Sequence, residues 1–164
     1  MKTKNLTIGG ISIALSLVIL YLSTIISINT IAILTVASSI IPITIIKSDI
    51  KTSILVYIIT SILSFFFLPI NYSLLYILLF GIYGITKYFI EKINKLPLEI
   101  ILKLVFFNIM LGIAYLLMDS LFNMINLRLS LWILIIIAQF AFLIYDYALT
   151  IIISFYLQRI HRNL

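Results

Sequence analysis

The sequence predicts an all-α fold: a polytopic membrane protein with six transmembrane helices in one compact bundle. Three observations predict it. The 164-residue chain is 64% hydrophobic and 10% charged, with a mean hydropathy of +1.31. A soluble domain of this size cannot bury so much apolar surface, so lipid is the expected solvent. The apolar residues also run continuously over helical lengths, whereas the strand of a membrane barrel would alternate with a period of two. Finally, one threading puts ten of the eleven Lys and Arg residues on one side of a bilayer and leaves Arg128 on the other. No long polar stretch could form a separate soluble domain, so residues 1–164 read as a single integral membrane domain.

The first span, 6–26, follows the basic start Met1-Lys2-Thr3-Lys4-Asn5. It contains no convincing small-x-small cleavage site and is expected to remain as an uncleaved helix. A short polar break, Ser27–Thr30, leads to span 2 at 31–46, which stops at Lys47-Ser48-Asp49-Ile50-Lys51. Span 3, 52–68, ends at Pro69-Ile70-Asn71, and span 4 covers 72–90. The charged turn Glu91–Glu99 separates it from span 5 at 100–118. A more polar, amphipathic stretch, 119–129, precedes span 6 at 130–157, and the chain closes on Gln158–Leu164.

A crossing helix needs roughly 20 residues, so spans 1, 4 and 5 fit. Spans 2 and 3 are short, and one of them is open to being broken or re-entrant. Span 6 is long and is expected to tilt or project.

With the N-terminus inside, the inner side receives Lys2, Lys4, Lys47, Lys51, Lys87, Lys92, Lys95, Lys103, Arg159 and Arg162. The positive-inside rule therefore places both termini in the cytoplasm of a multi-pass cell-membrane protein. It also explains the net charge of +6, which in a soluble protein would suggest nucleic acid; no nucleic-acid partner is expected. Lys87 and Lys103 lie about one turn within spans 4 and 5, from which long side chains snorkel to the surface.

Asp146 is the one acid deep inside a span. A lipid-facing charge there costs about 2.5–3.5 kcal/mol, so it should face the bundle, be neutral or pair with a base. Lys87, Lys103 and Asn108 are the expected members of a buried polar network around it. Two readings stay open: a proton, cation or substrate site, and a structural pair fixing span 6 against spans 4 and 5.

Gly10 and Ala14 stand four apart on span 1, a spacing that lets another helix approach closely. They are either a partner interface or packing within the bundle. On the outer side, Asn71, Tyr76, Tyr115, Asp119, Asn123, Trp132 and Gln139 are candidate substrate-binding residues. Aromatic walls would hold an organic ring there while a few polar groups orient it. The competing reading makes the Tyr and Trp residues interface anchors.

Enzyme signals are lacking. Without Cys there is no thiolate catalysis or thiolate metal site, and the only His is His161 near the C-terminus. The sequence has no HExxH and no P-loop, so no catalytic residue, metal or cofactor is expected, and ATP-driven work would need a partner.

The segment Leu6-Thr7-Ile8-Gly9-Gly10-Ile11-Ser12-Ile13-Ala14-Leu15-Ser16 carries a family resemblance. With its small size, six helices and cytoplasmic termini, the chain resembles the substrate-binding (S) components of energy-coupling factor (ECF) transporters, bacterial importers of vitamins. In that family a surface of small residues on the first helix meets a transmembrane coupling subunit, and the positions that match here are Gly10 and Ala14. The aromatic rim points to a small, apolar or aromatic nutrient such as a vitamin as ligand, and the resemblance implies a coupling subunit and ATPases as partners. It also implies that the subunit topples in the membrane. A second resemblance, in size and topology only, is to the rod-shape protein MreD. It implies a non-transport scaffold of the cell envelope.

Overall fold

The computed structural model describes residues 3–26, 30–117 and 131–161. Six helices in it are long and apolar enough to cross a membrane: α1 Thr3–Ile25, α2 Thr30–Lys47, α3 Ile50–Phe67, α4 Ile70–Glu91, α5 Leu96–Leu117 and α6 Leu131–His161. Among the described residues there is no strand. The chain is a multi-pass membrane protein built as one helical bundle.

Spans 2 and 3 are each one unbroken helix of 18 residues. α6 has 31 residues, roughly 46 Å at 1.5 Å per residue. That exceeds the roughly 30 Å hydrocarbon core. α5 starts four residues earlier than the sequence suggested because Pro97 sits in its first turn. Proline is well tolerated there, where its missing N–H has no intrahelical partner to lose.

α2 is the centre of the bundle and touches α1, α3, α4 and α6. α2 is about half buried, whereas α5 and α6 are mostly exposed, so the last two helices are peripheral. Small side chains allow the close approaches. Ser12 and Thr44 bond to each other between α1 and α2 at 2.9 Å. Gly84 of α4 lies against Pro42 and Ile41 of α2, where an added Cβ would stand 2.9 Å from Pro42 Cδ.

The turns are capped by their own chemistry. Asp49 caps α3 by accepting the Thr52 amide at 2.7 Å and also accepts the Asn5 side-chain amide at 2.8 Å. These bonds, the Thr52 bond foremost, hold its carboxyl below the usual carboxylate range. Leu68 is extended, as the residue before proline prefers, and ends α3. The Ser73 hydroxyl then reaches back to the Ser64 carbonyl at 2.8 Å. Asn94 takes a left-handed conformation (φ 55°) in the α4–α5 turn. Asparagine tolerates it better than most residues, and the tight reversal sets the start of α5 beside the end of α4.

α4 is not uniform. Tyr76–Gly81 winds as a π-helix between two α-helical parts. Two tyrosine hydroxyls serve carbonyls of that stretch: Tyr57 donates to Ile77 O at 2.9 Å, and Tyr145 lies 3.3 Å from Phe80 O. In a membrane such irregular backbone persists where neighbouring groups satisfy it. The wider turn also lets Gly81 sit under the Tyr57 ring.

Candidate functional site

The polar residues of α4, α5 and α6 close into a ring of alternating charge. Lys87 and Asp146 pair directly between α4 and α6 through Nζ and Oδ1. Asp146 Oδ2 accepts from Lys103 of α5 at 3.0 Å. Glu91 Oε1 completes the circuit, 2.8 Å from Lys103 and 2.7 Å from Lys87. Lys87 also donates to Thr150 at 2.8 Å, and the Tyr83 hydroxyl donates to Asp146 Oδ1 at 2.6 Å.

Local sequence explains each placement. Lys87 and Glu91 are one helical turn apart on α4, so they face the same way. The short α4–α5 turn brings Lys103 back over Glu91. Lys87 is 1% exposed and Lys103 7%, so neither snorkels to the surface; both point into the bundle. Two cations and two anions sum to zero, so the ring places no net charge in the bundle and offsets much of the cost that a single buried charge would carry in lipid.

Further polar contacts gather at the same end of the bundle. Asn5 reaches Asp49 there, and Lys47 of α2 lies 5.2 Å above the Tyr156 ring of α6. This end carries the basic turns of the sequence.

Towards the opposite end the helices part around an apolar cavity of about 260 Å³. Its wall comes from Leu34 of α2, Leu79, Phe80 and Tyr83 of α4, Phe106 and Phe107 of α5, and Phe142 and Tyr145 of α6. The rings hold one another in place. Phe107 stacks on Phe142 at 4.3 Å, Tyr83 meets Phe142 edge-on at 5.1 Å, and Phe80 meets Tyr145 edge-on at 4.9 Å. Tyr83 belongs to both places: its ring lines the cavity and its hydroxyl touches the ionic ring. An aromatic recess of this kind can hold a small organic molecule by burial and ring contacts, while the ionic ring ties the helices around it.

The residues expected from sequence fall in several places. Lys87, Lys103 and Asp146 meet in the ring. Asn108 does not join them; it lies further along α5, where its Oδ1 accepts from Gln139 Nε2 of α6 at 2.7 Å. Of the candidate substrate contacts, Asn71 is exposed in the first turn of α4. Tyr76 is wholly buried in the bundle, and Gln139 is half-buried on its Asn108 bond. None of these three lines the cavity. Asp119 and Asn123 lie outside the described residues, as does Arg128. Tyr115 and Trp132 fall within α5 and α6, but their side chains are outside the description. Gly10 and Ala14 are exposed on α1, and no atom stands within 4 Å of where a Gly10 Cβ would be.

Glu91, Tyr83 and Thr150 were not singled out from sequence. The spacing of four between Lys87 and Glu91 was a usable signal for the first. Tyr83 carried none beyond being aromatic. Among the described residues no group of His, Cys, Asp or Glu could hold a metal ion. No family model matches the chain, and neither a curated protein nor a solved structure matches it.

Proposed function

We propose that this chain is a membrane-embedded substrate-binding subunit for a small apolar or aromatic nutrient, working in the manner of an ECF-type S component. The observation that carries the reading is the aromatic cavity between α2, α4, α5 and α6. It lies towards the end of the bundle opposite the basic turns. With the basic end in the cytoplasm of a cell membrane, the cavity belongs to the outer half, where an importer meets its substrate. The polar contacts at the inner end then keep that side closed.

The exposed α1 face is consistent with the same reading. Gly10 and Ala14 make a shallow strip that the chain's own bundle leaves uncovered. A coupling subunit could dock there, and the energy would come from its ATPases.

The test is purification of the tagged chain from its own membranes, followed by mass spectrometry of the extracted ligand and of the co-purifying proteins. The expected result is a stoichiometric small organic molecule together with a membrane subunit and two ATPases. A ligand-free protein held in a stable complex with cell-wall assembly proteins would overturn the proposal in favour of an envelope scaffold.

A further inference from the structure

The charge and hydrogen-bond accounting around the cavity restricts what can enter it. Lys87, Lys103, Glu91 and Asp146 are spent on one another in the ring. None of them lines the cavity, and the described wall contains no charged side chain. Its two tyrosine hydroxyls are also committed. Tyr83 donates to Asp146, while Tyr145 faces Ser38 and the Phe80 carbonyl. Thr30, the remaining polar residue of the described wall, is itself engaged.

An anionic ligand needs donors or a cation to replace its water, and the described residues of the wall offer neither. Opening the ring to supply a lysine would leave Asp146 and Glu91 sharing the other lysine, with one negative charge in excess, so the ligand would gain one contact while the ring lost its balance. A neutral ring compound meets no such penalty. It exchanges apolar area with Phe106, Phe107 and Phe142 and offers its edge or face to the tyrosines. The volume of about 260 Å³ falls just below the roughly 300–1,000 Å³ of drug-sized pockets, so the occupant is small.

We infer that the cavity prefers a neutral aromatic molecule to anionic analogues of the same shape. This deepens the binding-subunit reading and rests on it.

A matched pair of fluorescent probes tests the selectivity: neutral N-phenylnaphthylamine and its sulfonated counterpart, anilinonaphthalene sulfonate. Both are titrated into the full chain in phosphatidylcholine nanodiscs. The basic surface attracts the anion and the lipid absorbs the neutral probe. Cavity binding is therefore defined as the saturable signal lost in Ala138→Trp, which fills the wall. Ala141→Trp, on an exposed lining position, serves as a second filling variant if the first fails to fold.

The expected result is saturable binding of the neutral probe, with the anion more than roughly tenfold weaker. Equal or tighter cavity binding of the anion overturns the selectivity while leaving the cavity a binding site. No saturable signal from either probe overturns the binding-subunit reading and this inference with it.

Discussion

Tyr83 donates its hydroxyl proton to Asp146 Oδ1 across 2.6 Å, joining the wall of the aromatic cavity to the ionic ring. The bond runs from α4 to α6. Its removal separates the roles of cavity and ring. Tyr83→Phe keeps the ring contacts with Phe142 and Phe106 but leaves Asp146 with one donor fewer. A hydrogen bond to a charged acceptor contributes about 1.5–3 kcal/mol, and the variant should lose stability of that order. Binding of a neutral aromatic probe should stay within roughly twofold, because the cavity surface is retained. Denaturant titration in mixed micelles measures the first quantity and fluorescence titration the second. Unchanged stability would mean that the hydroxyl contributes nothing to the ring.

The ring itself predicts non-additive mutations. Asp146→Asn leaves Lys87 and Lys103 sharing Glu91 alone, with a net charge of one in a buried site. Breaking a buried pair in this way costs about 3–5 kcal/mol. Lys103→Gln added to Asp146→Asn restores neutrality, so the double variant should be more stable than the sum of the two single losses implies, by about 0.5–3 kcal/mol. A full cycle of the wild type, both singles and the double, unfolded under one condition, measures the coupling. Strict additivity would show that Lys103 and Asp146 do not interact despite their 3.0 Å separation.

Much of this arrangement can be read from residue order, and the reasons for the remainder are local. Continuous apolar runs and charged turns are long-range features, so six helices followed from them directly. Pro97 looked like a loop residue because proline breaks helix interiors, yet the first turn accepts it. Glu91 looked like the start of a polar turn, although its spacing from Lys87 already put the two side chains on one face. The π-helical stretch Tyr76–Gly81 was not legible at all. It depends on Tyr57 and Tyr145 arriving from other helices to bond its carbonyls, and nothing within the stretch announces that. The cavity was not legible as a set of residues. Its wall uses ordinary Phe and Tyr positions that the sequence does not distinguish from lipid-facing ones.

The two glycine environments give a paired prediction. Gly84→Ala brings a Cβ to 2.9 Å from Pro42 Cδ and 3.3 Å from Ile41, and the proline ring cannot swing aside. α4 must shift from α2, at a cost of about 1–3 kcal/mol. Gly10→Ala meets no atom within 4 Å, so it should leave stability unchanged or raise it by up to about 1 kcal/mol through helix propensity. Thermal unfolding of both variants in the same detergent checks the contrast. Gly10→Leu extends the test outward. The bundle should tolerate it, whereas a coupling subunit seated on α1 should be lost on co-purification. Full retention of that subunit would remove this face from the interface.

The last prediction concerns pH at the start of α3. Asp49 has its pKa lowered below 3.8 by the Thr52 and Asn5 bonds. A depressed pKa means the folded state binds the proton less readily than the unfolded state. The cap therefore contributes fully above pH 3.8 and loses its contribution as pH falls through the lower folded value. Asp49→Ala should accordingly be less stable than the wild type by a constant margin from neutral pH down to about pH 5, and the margin should shrink below pH 3.8. Asp49→Asn, which caps without ionising, should show no such narrowing relative to Asp49→Ala. Unfolding midpoints of the three proteins across that range decide the matter. A margin that persists undiminished at the acid limit would show that the neutral carboxyl caps α3 as well as the carboxylate does.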